Sequence, residues 1–315
     1  MDKAVLHRWG IPDTILLATN LHDAPHLVPH AIAQAKHSRA KILLVHVIEP
    51  EYFRTNPAQG IPFVIPGPTV RAVQRQLNQI VKQFQQEGIL CEPIILKGMA
   101  GEEIPALVKQ RVADRVIVGT RSAEAIGRIL LGSIAEDLLH EVDVPVFVIG
   151  PYVRPQVRPD QEPVSILFAT SFHHKSQHSA QLALEIANLH QARLTLLHVL
   201  PSGTSSAEEA QRLHKQRAEE LLSLITEETK LWSSPSIAIL EGDPATEILA
   251  EATRLSADLI VLGSTGASKT ARLLAAGVVH RVIAQAKAPV ITLRQEQELS
   301  KEYMHEPTAR SRVPA

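Results

Sequence analysis

The residues best suited to binding an anion lie between Gly119 and Ser133. Gly119 follows the apolar run "RVIV", and the pair Gly132 and Ser133 stands immediately before a helical segment. Backbone amides at a helix N-terminus attract phosphate, and glycine lets the phosphate approach the backbone closely. A plain turn between a strand and a helix would have the same composition. The pattern alone therefore leaves two interpretations open, a phosphate site and a turn without a ligand.

Other nucleotide-binding and catalytic motifs are incomplete. Gly263–Thr270 reads "GSTGASKT", but Ser268 occupies the place of the second glycine that a P-loop needs. No Gly-x-Gly-x-x-Gly motif follows a strand, which argues against a dinucleotide-dependent dehydrogenase. No Ser-His-Asp pattern, carboxylate pair or H-E-x-x-H motif stands out. We therefore predict no enzyme, with at most slow incidental ATP hydrolysis.

The chain has 15 histidines, and some of them are spaced for a shared helix face. The two groups are His22, His26 and His30, and His173, His174 and His178. Prolines interrupt the first group and no cysteine lies near it, and spacing alone does not build a coordination shell. We predict no metal site. His46 and His198 end apolar runs in the two halves of the chain, and we interpret them as structural.

Composition excludes several classes of protein. The chain has 315 residues, of which 45% are hydrophobic and 21% charged, and Lys+Arg at 32 balance Asp+Glu at 33. A nucleic-acid partner therefore has no basic surface to attract it. A single cysteine, Cys91, excludes an intramolecular disulfide framework. The first residues lack the apolar core of a signal peptide, and no apolar run is long enough for a membrane span. We expect a cytoplasmic protein with no membrane partner.

The elements that must position the glycine loop occur twice. Five sequence blocks recur in the same order, as "TILLATNLHD" recurs in "SILFATSFHH" and "ADRVIVGTRS" in "ADLIVLGSTG". In the first half, apolar runs lie near residues 14–19, 41–47, 90–96, 115–119 and 145–149. They alternate with amphipathic segments, which predicts buried parallel strands joined by helices. The fold class is α/β, as two tandem open five-stranded parallel-sheet α/β sandwiches.

The predicted boundaries follow from this duplication. The first domain covers residues 1–150, a Pro-rich linker residues 151–163, the second domain residues 164–296, and a mobile tail residues 297–315. Prolines make the linker stiff and extended. The first half also carries a long segment from Glu49 to Thr69, which we interpret as a flap near the carboxyl edge of the sheet.

Both halves resemble the universal stress protein family, and the first half carries the more complete motif. Gly119, two residues, Ser122, nine residues and Gly132-Ser133 approach the family's Gly-x2-Gly-x9-Gly-Ser/Thr loop, and "ILLATN" and "HV" match its first two strands. The resemblance covers residues 12–150 and 164–294. It implies an adenine-nucleotide alpha hydrolase-like fold and binding of ATP, or of AMP or ADP, with or without Mg²⁺. The implied site consists of Ala18, Thr19, Asn20, Val47, Val118, Gly119, Arg121, Ser122, Gly132, Ser133 and Ile134.

The resemblance also implies a role for each part of the site, and some positions of this chain differ from the family pattern. The end of the first strand would lie against adenine and ribose, the Val47 backbone against the adenine edge, and the glycine loop around the phosphates. Nucleotide-binding members usually have Asp at the position of Asn20 and Gly at the position of Ser122. In the second half, Ala276-Gly277 replaces Gly-Ser, so a turn without a ligand is preferred there. The weaker second site would consist of Thr170, Ser171, Val199, Gly263, Gly266 and Gly277.

The resemblance implies a stress-response protein whose first domain is a nucleotide-responsive regulatory module with unidentified protein partners. The alternative is a ligand-free interaction scaffold of the same fold. In this family the last strand of a domain pairs with its copy in a dimer, and fusing two copies makes that pairing intramolecular. We predict a pseudo-twofold monomer in which Val146–Ile149 runs antiparallel to Val290–Leu293. The sequence leaves a further homodimer open.

Overall fold

The computed structural model describes residues 10–49, 53–55, 62–64, 69–120, 132–154, 163–172, 176–203, 207–225, 234–265 and 277–295. The predicted tail and most of the predicted linker lie outside these residues. The elements of the first half are β1 Thr14–Ala18, α1 Ala24–Ser38, β2 Lys41–Ile48, β3 Phe53–Thr55, β4 Pro62–Val64, α2 Val70–Gln86, β5 Cys91–Lys97, α3 Ala100–Arg111, β6 Arg115–Gly119, α4 Ser133–Glu141 and β7 Val146–Ile149. Those of the second half are β8 Ser165–Ala169, α5 Ser176–Leu189, β9 Arg193–Leu200, α6 Ala207–Ser223, β10 Ser236–Glu241, α7 Pro244–Arg254, β11 Leu259–Thr265, α8 Val278–Gln285 and β12 Val290–Gln295.

The main strands form one ten-stranded sheet in the order β10-β9-β8-β11-β12-β7-β6-β1-β2-β5. Within each half the five strands are parallel, and the second half repeats the order of the first. The halves meet where β7 pairs antiparallel with β12, with Phe147 opposite Ile291. Both the α/β fold class and the predicted pairing of the two last strands are confirmed.

Two apolar layers cover the sheet, one on each face. Ile15 and Leu17 of β1 point into the layer with α1, α2, α5 and α6, while Leu16 and Ala18 point into the layer with α3, α4, α7 and α8. Each layer contains residues of both halves, so the junction of the halves is part of the core. Strands that are buried on both faces explain why the sequence shows continuous apolar runs rather than alternation.

Helix α2 shows how local sequence specifies these elements. The Thr69 hydroxyl accepts a hydrogen bond from the Ala72 amide (3.3 Å) and so caps the first turn of the helix. Its apolar stripe recurs every three or four residues and is buried: Val73, Leu77, Ile80, Val81 and Phe84. The polar residues between them face outward, as expected of an amphipathic helix on a sheet.

One aspartate in each half joins two strand starts. The Asp114 carboxylate accepts hydrogen bonds from the amides of Asp13 and Thr14, both at 3.0 Å. In the second half the Asp258 carboxylate accepts from the amides of Val164 (2.8 Å) and Ser165 (3.0 Å). The same device thus aligns the central strand with its neighbour twice, as a tandem duplication requires.

The long segment of the first half contains the hairpin β3–β4, whose antiparallel strands the sequence analysis did not anticipate. The remaining residues of the proposed flap, 50–52, 56–61 and 65–68, lie outside the described residues. In the part of the chain that the structure describes, no helix is both long enough and apolar enough to cross a membrane.

The expectation of an extended linker is wrong for its first residues. Residues 151–154 turn back on α1, where the Val153 amide donates to the Gly150 carbonyl (3.3 Å) and the Val153 side chain is buried. Two histidines of α1 hold this turn, because His26 donates to the Gly150 carbonyl (3.0 Å) and His30 to the Arg154 carbonyl (3.1 Å). These two histidines therefore contact the chain between the halves.

Candidate functional site

A cavity of about 300 Å³ opens at the carboxyl ends of β1, β2 and β6. The chain runs from β1 to β2 on one side and later places β6 on the other, so this is the point where the strand order reverses. Open α/β sheets bind ligands at such a point. Eight residues of the predicted site line the cavity, namely Ala18, Thr19, Asn20, Val47, Val118, Gly119, Gly132 and Ile134.

The remaining predicted residues of the first site are not placed in the cavity. Arg121 and Ser122 lie outside the described residues. Ser133 is the first residue of α4, but its side chain is also outside the described part of the structure. Of the predicted glycine loop, the described part of the structure thus contains Gly119 at the end of β6 and the start of α4.

The end of β1 is shaped by Thr19. Its amide donates to the Val45 carbonyl (3.0 Å), and its hydroxyl accepts from the Leu21 amide (2.9 Å). Leu21 has a φ of 72°, a left-handed conformation that ends the strand abruptly. The second half repeats this turn, with the Thr170 hydroxyl accepting from the Phe172 amide (3.1 Å) at a Phe172 φ of 60°.

Asp23 is a cavity residue that the sequence analysis missed. It stands at the N-cap of α1, where an aspartate ordinarily accepts from the first amides of its own helix. Here the side chain makes no such bond. Instead it accepts from the Thr19 hydroxyl (2.5 Å) and the Asn20 amide (3.1 Å), while its own amide donates to the Asn20 side chain (2.9 Å). The available signal was Thr-x3-Asp directly after the first strand.

The Asp23 carboxylate faces Gly119 at the end of β6. Its second oxygen would lie 3.3 Å from a Cβ placed at Gly119, and the same Cβ would lie 3.0 Å from Leu27 of α1. Glycine at this position therefore permits the close approach of α1 to the end of β6. Burial raises the pKa of the Asp23 carboxyl, although the hydrogen bonds from Thr19 and Asn20 oppose this shift.

His46 closes the inner wall of the cavity. It is buried and donates from Nδ1 to the Thr19 carbonyl (2.9 Å). His198 makes the equivalent bond to the Thr170 carbonyl (2.8 Å), and burial lowers the pKa of that imidazole. Each histidine ties the second strand of its half to the end of the first, which agrees with the structural role predicted for them.

The N-terminus of α4 supplies hydrogen-bond donors on the opposite wall. Gly132 is the N-cap, in an extended conformation, and as a glycine it has no side chain with which to cap the helix. Amides in the first turn have no carbonyl within the helix to bond, and the helix dipole adds partial positive charge there. Because Gly132, Ile134 and Ala135 all line the cavity, these donors lie where an anion could bind.

The second half has a different environment at the equivalent place. Ser171 is exposed, Val199 packs against one apolar layer and Gly263 lies within β11. The ring of Phe172 lies 4.6 Å from that of His198, and the Arg217 guanidinium stacks 5.4 Å from the Phe172 centroid. Gly277 caps α8 without a side-chain bond, and Gly266 lies outside the described residues.

Comparisons with known proteins agree with the duplicated architecture. The model of the universal stress protein family matches residues 12–150 and 165–294. A universal stress protein of Mycolicibacterium smegmatis is 25% identical over 309 residues, which cover 93% of this chain and 92% of that protein. One from Methanocaldococcus jannaschii is 29% identical over 120 residues, covering 38% of this chain and 71% of its own.

A solved structure shows the same fold over nearly the whole chain. The crystal structure of a universal stress protein from Archaeoglobus fulgidus has a TM-score of 0.64 at 20% sequence identity. The match covers 90% of this chain and 96% of that one. Both sandwiches are therefore included in the shared fold.

Proposed function

The chain belongs to the universal stress protein family, and from this premise we propose that its first domain binds an adenine nucleotide and acts as a nucleotide-responsive regulatory module. The ligand would be ATP, or AMP or ADP, with or without Mg²⁺. One observation carries the proposal: residues from three separate chain segments, at the ends of β1, β2 and β6 to α4, converge on one cavity at the switch point of the sheet.

The walls of the cavity suit different parts of a nucleotide. The apolar wall that includes Val47 and Ile104 offers a surface for adenine, and the turn after β1 offers polar groups for the ribose. Gly119 and the first amides of α4 lie on the side that suits phosphate, because a helix N-terminus attracts anions. Phosphate oxygens would supply most ligands of a bound Mg²⁺.

We propose that Asp23 supplies the carboxylate that is missing at position 20. Nucleotide-binding relatives usually carry a carboxylate at that position, and Asn20 cannot supply one. In this chain the Asp23 carboxylate lies beside Asn20 and faces Gly119, with one oxygen engaged by Thr19 and Asn20. We propose that the other oxygen accepts a hydrogen bond from a ribose hydroxyl.

The regulatory role follows from where α4 packs. A nucleotide held between Gly119 and Gly132 would fix the end of β6 against the start of α4. The other end of α4 contacts the second domain, since Arg294 of β12 donates to the His140 carbonyl (3.0 Å). Ligand binding in one domain could thus alter the surface that both domains present to a protein partner.

We propose binding without a catalytic role. The His46 imidazole already donates to the Thr19 carbonyl, and the Asp23 carboxylate is held by hydrogen bonds to the β1 turn. Incubation with ATP should therefore release phosphate no faster than a protein-free sample, and Ser133→Ala should leave that rate unchanged. Rapid release that Ser133→Ala abolishes would show instead that the protein is an ATPase.

The binding proposal is tested by isothermal titration of ATP into the full chain. Gly132→Glu places a carboxylate at the start of α4, so repulsion of the phosphates should weaken binding at least about tenfold. Gly277→Glu makes the same change at the matched position of the second domain and should bind ATP like the wild type. Circular dichroism spectra of both variants establish that they are folded.

Two results would reject the proposal. One is the absence of binding by the wild type at millimolar ATP, and the other is equal binding by the Gly132→Glu variant. Mass spectrometry of the denatured, freshly purified protein provides an independent measurement. Copurified adenine nucleotide would support the proposal, whereas a protein that carries none and binds none would favour the interaction scaffold.

A further inference from the structure

Three potential metal ligands converge at the contact between the two domains. Glu136 and His140 lie four residues apart on α4, so they share one helix face. His280 lies on α8 of the second domain. One ligand atom from each of the three side chains lies within 4.8 Å of the other two, and all three residues are half-buried.

The backbone around this cluster is held firmly. At the end of α4, Arg294 of β12 donates to the His140 carbonyl (3.0 Å) and pairs with Asp143. Beside His280, Arg281 pairs with Asp243 at the N-cap of α7 (2.6 Å). These pairs direct both guanidinium groups toward carboxylates. Each helix end is thus anchored independently of the three converging side chains.

The two domains also approach closely at this point. A Cβ placed at Gly150, just after β7, would lie 2.4 Å from the Ile283 carbonyl oxygen of α8. Only a residue without a side chain allows that approach. The His140 and His280 rings meet edge to face, with centroids 6.4 Å apart and planes at 88°. The distance between the side chains is therefore set by the packing of the domains.

We propose that Glu136, His140 and His280 form an interdomain site for a divalent transition-metal ion of the zinc type. Two imidazole nitrogens and one carboxylate oxygen are a common ligand set for such ions and leave a position for water. Mg²⁺ and Ca²⁺ prefer oxygen ligands throughout, so the histidine pair selects against them.

The three side chains would need to move only slightly to coordinate a zinc ion. Ligands about 2.0–2.1 Å from a tetrahedral zinc ion lie about 3.4 Å from one another. The present separations of up to 4.8 Å therefore require closure by about 1.4 Å at most, which side-chain rotation can supply. The site unites residues of two domains, which is why the prediction of no metal site, made from histidine spacing within single segments, did not consider it.

The experiment titrates ZnCl₂ calorimetrically into the full chain after chelator treatment and without nucleotide. We expect one tight site per chain, distinct from weak binding by the other histidines. His280→Ala and Glu136→Gln should each weaken that site at least about tenfold. His22→Ala removes an exposed histidine away from the cluster and should leave the tight site unchanged.

A second measurement separates metal binding from a loss of structure. Zn²⁺ should raise the melting temperature of the wild type and of His280→Cys, which restores a zinc ligand, but raise that of His280→Ala much less. The three proteins should melt alike in chelator. Equal tight binding by wild type and His280→Ala, or loss of the tight site in His22→Ala, would overturn the proposal. So would the absence of any site tighter than the weak ones.

Discussion

At the scale of single residues, Asp23 occupies the N-cap of α1 but does not cap that helix with its side chain. Its carboxylate is turned away from the helix it precedes and toward the end of β1. A buried carboxylate costs free energy unless hydrogen bonds stabilise it. The Thr19 hydroxyl and the Asn20 amide provide those bonds and leave one oxygen directed toward Gly119.

This arrangement predicts that Asp23→Asn reduces discrimination between ATP and 2′,3′-dideoxy-ATP. The wild type should bind ATP about tenfold more tightly, because only ATP offers ribose hydroxyls to the free carboxylate oxygen; a hydrogen bond to a charged group contributes about 1.5 kcal/mol or more. In the variant the two affinities should be nearly equal. Competition titrations on the full chain measure the ratio.

Thr19→Val supplies the matched control for this prediction. It removes the hydroxyl that positions Asp23 but keeps the carboxylate, so the discrimination should shrink without disappearing. A wild-type protein that binds both nucleotides equally would contradict the assigned role of Asp23 while leaving ATP binding itself intact.

At the scale of elements, the main strands could be predicted because a buried strand has a recognisable local composition. A strand such as β1, buried on both faces, is an uninterrupted apolar run, and the fused repeats gave the same pattern twice. The pairing of β7 with β12 followed from the family resemblance and from the need to cover an apolar edge, whereas the order of the strands within each half was not predicted.

Other elements had no such local signal. The turn at residues 151–154 depends on carbonyl contacts with His26 and His30, more than a hundred residues earlier in the chain. The bonds of Asp23 to Thr19 and Asn20 are local, but the approach of its second oxygen to Gly119 depends on how closely α1 packs against the end of β6. Composition indicates which segments are buried, but these features depend on which side chains meet after packing. They could be found only in three dimensions.

The loops between a strand and the following helix give a prediction at this scale. Gly98, between β5 and α3, has a φ of 145°, and Gly242, between β10 and α7, has a φ of 151°. A Cβ at Gly98 would meet only the flexible side chain of Glu103, so the cost of a substitution comes mainly from this φ. Gly98→Ala should therefore lower the free energy of unfolding by about 1–3 kcal/mol, measured by urea titration.

Gly88→Ala is the control at an ordinary left-handed position. Gly88 has a φ of 72°, and a Cβ there would meet open space. Its substitution should cost only about 1 kcal/mol, the ordinary penalty for a left-handed residue with a side chain. A smaller loss at Gly98 than at Gly88 would refute the argument that the φ of Gly98 is the more strained one for a residue with a side chain.

At the scale of the whole molecule, we expect the contact between the domains to weaken in acid. His30 and His190 line a cavity of about 230 Å³ that lies between the two domains. Burial lowers the pKa of each imidazole to about 4. For His30 the hydrogen bond to the Arg154 carbonyl opposes this shift and His26 adds to it, and for His190 both His37 and Arg115 add to it. Both groups are therefore neutral in the folded protein at pH 7.

The consequence is a loss of stability between about pH 6.5 and pH 4. An unfolded chain takes up protons on these histidines near pH 6.5, whereas the folded chain resists protonation until about pH 4. The stability is complete above the higher value and declines as the pH falls. At pH 5 the loss for His30 is on the order of 2 kcal/mol.

Melting temperatures measured between pH 7.5 and pH 5 check this prediction. The wild type should melt at a lower temperature at pH 5, and the double variant His30→Gln, His190→Gln should show a flatter dependence. Carboxyl groups titrate mainly below this window, which isolates the histidines. An identical slope in both proteins would show that other groups cause it.

The junction of β7 and β12 also bears on how such a chain can evolve. In a dimer of identical subunits with this register, the residue at the position of Phe147 would lie on the symmetry axis and pack against its own copy. Every substitution at that position would therefore change both sides of the contact at once. Here Phe147 meets Ile291, a large side chain against a smaller one. Covalent duplication thus frees each side of the junction to change alone. Selection can preserve a ligand site in one copy while the other accumulates substitutions that suit only the contact.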